Sequence, residues 1–171
     1  TIYTLSCVLL DRSDCDRKLA EKFKTEYGRT HNFVHKFAQV VLPEEFDLLG
    51  TVYQSFLTEG VKNSTGSYYT ERSVAQELLD SLEAKPGASF LDPCCGSGTF
   101  LILAQEMGLK ICGMDSDPIA VMIAKANLIL SGAKEYPDVR VIDFVNRWKS
   151  ERRRFDFAAT NPPWSSKTKN V

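Results

Sequence analysis

Histidine and paired cysteine are both scarce in this 171-residue chain, which has two histidines, five cysteines and no C-x-x-C pair. Cys7, Cys15, Cys94, Cys95 and Cys112 form an odd set with few histidines nearby. That argues against a zinc site or disulfide framework and predicts a reducing, cytoplasmic setting with no metal. The adjacent Cys94-Cys95 read better as small, soft residues in a tight turn than as a redox pair. No apolar segment reaches the roughly 20 residues of a membrane-spanning helix. Residues 1–10 are apolar but have neither a basic leader nor a small-residue cleavage site, so no membrane partner and no secretory signal are expected. An excess of basic charge is also missing, since the formal net charge is −1. The electrostatic footprint of a self-sufficient nucleic-acid binder is therefore not on this chain.

What is present is 43% hydrophobic and 25% charged residues, enough for a globular core. The chain is organised around Ser89-Phe90-Leu91-Asp92-Pro93-Cys94-Cys95-Gly96-Ser97-Gly98-Thr99-Phe100-Leu101. An apolar strand that breaks into Gly-Ser-Gly and re-enters as a helix puts glycine backbone and the first helix N–H groups around a ligand. Neither the G-x-G-x-x-G spacing of a dinucleotide site nor the G-K-[ST] of a phosphate loop occurs, which disfavours a pyrophosphate or triphosphate. Asp92 at the strand end, beside Gly96 and Gly98, suits a positively charged ligand that the backbone approaches closely. By itself the turn also fits a plain strand-to-helix connection.

The N-terminal third reads as helices. Residues 14–27 and 32–41 carry apolar positions at helical spacing, and Pro43-Glu44-Glu45 opens a third helix with Leu48, Leu49, Val52, Tyr53, Phe56 and Leu57 as its buried stripe. A small bundle packed on the rest is expected, with His31 and His35 as surface residues. Residues 59–67 form a loop by composition. Thr70 then N-caps a helix that has Glu71 in its first turn and Val74, Leu78, Leu79 and Leu82 on its packing face.

From there strands and helices alternate, which predicts an α/β parallel sheet with its ligand crevice at the carboxyl edge. Strands are expected at 88–91, 110–114, 138–142 and 155–160, and helices at 99–107 and 119–131. Asp115, at the end of the second strand about 20 residues past the glycine turn, stands where a carboxylate accepts the ribose hydroxyls of a nucleoside. Asp117 N-caps the next helix with Pro118 at its first position. Arg147, Lys149, Arg152, Arg153 and Arg154 read as a solvated connection.

Three stretches carry a resemblance. Asp92-Pro93-Cys94-Cys95-Gly96-Ser97-Gly98-Thr99-Phe100 resembles the S-adenosylmethionine loop of adenine-specific DNA methyltransferases, especially those of type I and combined restriction-modification systems. Gly66-Ser67-Tyr68-Tyr69-Thr70 upstream and Asn161-Pro162-Pro163-Trp164 downstream fit the same family in the same order, that of its gamma class. The family's usual proline after the threonine is Glu71 here. The resemblance implies a Rossmann-like sheet, S-adenosylmethionine as cofactor, and DNA as partner with its target adenine flipped out. It assigns Tyr69 and Thr70 to the methionine end of the cofactor, and Asp92, Cys94, Gly96, Ser97, Gly98, Thr99 and Phe100 to the loop. Asp115 and Ser116 fall to the ribose, and Asp143 and Phe144 to the adenine ring. It also implies a fragment: residues 1–65 helical, residues 66–171 an incomplete methyltransferase domain, with remaining strands, a target-recognition domain or a specificity subunit elsewhere.

Asn161, Pro162, Pro163 and Trp164 are the catalytic residues of that assignment. An exocyclic amine is a poor nucleophile because its lone pair is delocalised into the ring. An asparagine oxygen and a backbone carbonyl that accept its two hydrogens localise the pair. The prolines hold the backbone extended, and Trp164 offers a flat face for a base rotated out of the duplex. Direct transfer without a cysteine nucleophile is expected. Two other readings remain open here: methylation of RNA or of a protein glutamine at the same tetrapeptide, and a cofactor-binding or assembly module without turnover.

Overall fold

The computed structural model describes residues 2–28, 47–57, 70–147 and 153–162. The expected helix at 32–41, Pro43-Glu44-Glu45, His31, His35 and the loop at 59–67 lie outside them. Among the described residues four helices come first: α1 (Ile2–Arg12), α2 (Arg17–Tyr27), α3 (Leu48–Phe56) and α4 (Arg72–Asp80). After them come β1 (Ser89–Asp92), α5 (Thr99–Glu106), β2 (Lys110–Asp115), α6 (Pro118–Leu130), β3 (Val139–Val141), α7 (Phe144–Arg147) and β4 (Phe157–Ala158). The strands form one parallel sheet in the order β3-β2-β1-β4. No helix among the described residues is long and apolar enough to cross a membrane.

Side chains on β1 and β2 alternate between two cores. Phe90 and Ile111 point to the face covered by α4, α5 and α6, where Leu101, Leu103, Val121, Ala124 and Leu128 are buried. Leu91, Cys112 and Met114 point to the other, which is closed by Ile142, Phe144 and Phe155. Burial on both faces explains why Phe90-Leu91 reads as an unbroken apolar run. Gly113 makes the first face possible. A Cβ there would stand 2.5 Å from Leu101 Cδ1, 3.2 Å from Val139 Cγ1 and 3.3 Å from Cys95 Sγ.

Helix α6 is largely apolar, with Lys125 and Asn127 as its polar side chains, and its residues 120–129 are all buried. A helix of that kind must be covered on every side. Val121, Ala124 and Leu128 face the sheet, whereas Met122, Ile123, Ala126 and Ile129 meet Leu5, Leu10, Ala20, Phe23 and Leu49 of the N-terminal helices. Lys125, 7% exposed, reaches out of this layer to Glu26 Oε1 at 2.6 Å and lies over the Tyr27 and Tyr136 rings. Burial works to raise the Glu26 carboxyl, but hydrogen bonds from Lys125 and Tyr136 prevail and hold it below its usual value.

Residues 2–12 are helical, with Leu5, Val8 and Leu10 buried, although their sequence shows no cap and no charged face. Several local expectations need correction. Helix α2 starts at Arg17, because the Asp16 side chain accepts the amides of Lys18 and Leu19 at 2.8 and 3.1 Å. The cap of α4 is Glu71 rather than Thr70: its carbonyl receives the Ala75 amide at 3.0 Å, and its side chain makes no capping bond. Val74 and Leu78 of α4, and Phe56 of α3, point outward at 47%, 49% and 61% exposure, since the covered faces are those of Ala75 and Leu79 on α4 and of Leu49 and Gly50 on α3. Strands β3 and β4 are shorter than expected because edge positions pair on one side only.

Gly113→Ala forces Leu101 out of a fully buried position, an overpacking that costs roughly 1–3 kcal/mol. The urea unfolding midpoint of this variant is expected to fall with an unchanged slope.

Candidate functional site

The chain runs β1, β2, β3 outward on one side and then crosses to place β4 on the other side of β1. Sheets of this kind open a crevice where the strand order reverses, outside the carboxyl ends of the two strands concerned. Here those ends belong to β1 and β4. At the start of β4, Asp156 Oδ2 accepts the Ser89 amide and hydroxyl at 2.8 and 2.7 Å. At its end the Ala159 amide donates to Leu91 O at 3.2 Å. The register is thereby held, and Asn161 emerges two residues beyond the last ladder bond, beside the turn that follows Asp92.

Thr70, Asp92, Cys94, Cys95, Gly96, Ser97, Thr99, Phe100 and Asn161 line one pocket at that place. Cys95, read from the sequence as filling the tight turn but not assigned to the cofactor, also lines the pocket; its backbone amide bonds to Met114 O at 2.8 Å and ties the turn to the end of β2. Gly98 stands behind the turn with φ +97°, and a Cβ would sit 3.3 Å from Ala124 Cβ, so a side chain is both strained and obstructed there. Asp115 lies under the turn: Oδ2 accepts the Gly96 amide at 2.8 Å and Oδ1 the Asp117 amide at 2.9 Å. Both oxygens keep a lone pair for a ligand. Ser116 is exposed next to it. Asp117 caps α6 by accepting the Ile119 amide at 2.8 Å, with Pro118 in the first turn.

Asp143 follows β3 and is exposed, close enough to raise the Cys94 thiol by its charge. Phe144 opens α7 and packs against the cluster of Leu91, Cys112 and Met114. Pro162 is exposed next to Asn161. Tyr69, Pro163 and Trp164 lie outside the described residues.

The electrostatics turn on Asp92, which is 1% exposed. Burial pushes its carboxyl up to about 7, against the lowering effect of the nearby Thr160 hydroxyl and the Cys94 amide, and the charge of Asp115 adds to the rise. Thr160 Oγ1 is buried outside hydrogen-bond geometry, so its help is weak. A carboxylate held this far from water is satisfied when a positive charge enters the pocket. Burial and the charges of Asp92 and Asp115 raise Cys94 to about 11 and Cys95 well above the usual thiol value. Neither is a thiolate near neutrality, which removes both as nucleophiles.

Three residues that hold the turn escape a sequence reading. Asn127, in the apolar α6, donates from Nδ2 to Ser97 O at 3.0 Å and to Asp47 Oδ1 at 2.7 Å. Tyr53 donates to Asp117 Oδ2 at 2.6 Å. A lone amide inside an otherwise apolar helix is the signal that Asn127 offered; Asp47 and Tyr53 offered none.

A family model described as N-6 DNA Methylase matches residues 44–171. The type I restriction enzyme MjaIX methylase subunit of Methanocaldococcus jannaschii is 35% identical over 147 residues, covering 77% of this chain and 26% of that protein. The type II methyltransferase M.VspI of a Vibrio species is 36% identical over 124 residues, 70% of this chain and 30% of that protein. The chain thus spans between a quarter and a third of the length of these two relatives. Among solved structures, a type I restriction enzyme modification subunit from Vibrio vulnificus YJ016 shares the fold with a TM-score of 0.61 at 21% identity, over 90% of this chain and 38% of that one.

Because Asp92 keeps its proton in the folded state between pH about 4 and about 7, stability is greatest below its unfolded value and falls as pH rises through that window. Asp47 and Asp115 shift in the same direction, so the comparison must be with a single variant. Asp92→Asn, which keeps the acceptor for the Cys94 amide, is expected to lose less stability from pH 5 to pH 8 than the wild type, a difference on the order of 2–4 kcal/mol. Urea unfolding at the two pH values measures it.

Proposed function

The chain belongs to the N-6 DNA methylase family, and from that premise we propose that it carries the cofactor turn and catalytic strand end of an S-adenosylmethionine-dependent enzyme that methylates the N6 amine of adenine in DNA, within a restriction-modification system. The observation that carries this reading is a pocket lined both by the turn after Asp92 and by Asn161.

The pocket's chemistry fits such a cofactor. The buried Asp92 favours a cationic group, and the bare backbone of Gly96, which lines the pocket, admits close approach. Asp115, with both oxygens already accepting amides, presents a fixed carboxylate to ribose hydroxyls. When bound, S-adenosylmethionine supplies an electrophilic methyl group on a sulfonium sulfur. Asn161 Oδ1 and the Pro162 carbonyl accept the two hydrogens of the adenine amine, which localises its lone pair and stabilises the positive charge growing on nitrogen. Trp164 stacks on the flipped base. Cys94 and Cys95, both protonated, stay out of the chemistry. The net charge of −1 supports a grip on DNA phosphates by a target-recognition domain or specificity subunit outside these 171 residues.

Asn161→Ala in the full polypeptide is expected to lower methyl transfer to adenine by at least about a hundredfold, the scale for one electrostatic contact to the reacting group. Cofactor affinity by calorimetry should stay within about threefold, because no change is made on the Asp92 side of the pocket. Radiolabelled methyl incorporation into DNA measures the first, and undiminished transfer would remove Asn161 from its role.

A further inference from the structure

Two hydrogen-bond routes lead from α3 to adjacent residues of the glycine turn. In the first, the Asp47 carboxylate at the head of α3 caps the helix by accepting the Gly50 amide at 2.7 Å. The same oxygen accepts Asn127 Nδ2 at 2.7 Å, and Nδ2 donates again to Ser97 O at 3.0 Å. The Ser97 side chain, 1% exposed, lies near the same carboxylate without a geometric hydrogen bond. In the second, Tyr53 donates to Asp117 Oδ2 at 2.6 Å, the Asp117 amide donates to Asp115 Oδ1 at 2.9 Å, and Asp115 Oδ2 accepts the Gly96 amide at 2.8 Å. One route ends on the carbonyl of Ser97 and the other on the amide of Gly96.

A buried carboxylate and amide placed for packing alone would be replaced at little cost by apolar residues of the same shape. These polar groups instead converge on two adjacent residues of the pocket wall, at the amide of Gly96 and the carbonyl of Ser97. Long-range bonds of this type fix a loop more firmly than its own short-range bonds, since the partners sit on rigid helices. We infer that α3 is a brace for the cofactor turn, with Asn127, Asp47 and Tyr53 as positioning residues that set the Gly96-Ser97 backbone without touching the ligand. The inference rests on the cofactor reading given above. By reciprocity, a ligand held by the turn tightens the head of α3 to the same degree that α3 tightens the ligand.

The test uses the full polypeptide with S-adenosylmethionine as probe, in wild type, Tyr53→Phe, Asn127→Leu and the double variant. Tyr53→Phe removes a single hydroxyl and retains the ring, so it keeps the measurement decisive if Asn127→Leu does not fold. Each single variant is expected to raise the KM and the Kd for S-adenosylmethionine about three- to tenfold, with kcat at saturation retained within about twofold, as loss of one indirect hydrogen bond predicts. In wild type, saturating cofactor should slow hydrogen exchange at the Gly50 and Thr51 amides by at least about tenfold, and this protection should shrink in both variants. A folded Tyr53→Phe with wild-type affinity, or exchange at Gly50 and Thr51 that ignores the cofactor, overturns the brace and leaves the cofactor reading intact. A wild-type chain that binds no S-adenosylmethionine overturns the cofactor reading and the brace with it.

Discussion

Coverage of α6 on all sides is the constraint from which the rest of the molecule follows. An unbroken run of ten buried residues, 120–129, has no face fit for water, so the sheet must lie on one side of it and the N-terminal helices on the other. The sheet side fixes where β1 and β2 end and where the glycine turn can pass, with Gly98 pressed to 3.3 Å from Ala124. The opposite side brings α3 within hydrogen-bond reach of that turn. A single helix therefore sets the distance between the pocket and a helical layer whose described residues are not among its lining.

The pocket exists because of a topological step rather than a local motif. Strands β2 and β3 grow away from β1 in one direction, and the return of the chain to the opposite flank of β1 leaves a gap at the carboxyl ends. Asp92 stands on one lip and Asn161 on the other. Their chemical characters differ, one being a desolvated acid and the other a neutral amide, which is what the proposed transfer from a cationic donor to a hydrogen-bonding acceptor would use. The ion pairs on the outer surface, such as Arg72 with Glu106 at 3.0 Å, have little part in this.

What was legible in the sequence was whatever local chemistry decides. The apolar strand into Gly-Ser-Gly, the acid closing β2 and the Asp117-Pro118 start of α6 each follow from a few adjacent residues, and the structure has them within a residue or two of their expected places. The helix at residues 2–12 was not legible, because Leu5, Val8 and Leu10 acquire meaning only from the surface they cover. Val74, Leu78 and Phe56 fit an amphipathic pattern and still point outward, since the arc of a helix that is covered depends on its neighbours and not on its own periodicity. The Asp47–Asn127 bond joins residues 80 positions apart, and the Tyr53–Asp117 bond residues 64 apart. Nothing in a single sequence marks such pairs.

The double coverage of α6 also bears on how the molecule can be divided at the bench. A minimal piece excised from residue 66 onward would bare Met122, Ile123, Ala126 and Ile129 as one oily stripe and strip Lys125 of Glu26. Such a piece would self-associate through that stripe during expression, however faithfully its glycine turn were preserved.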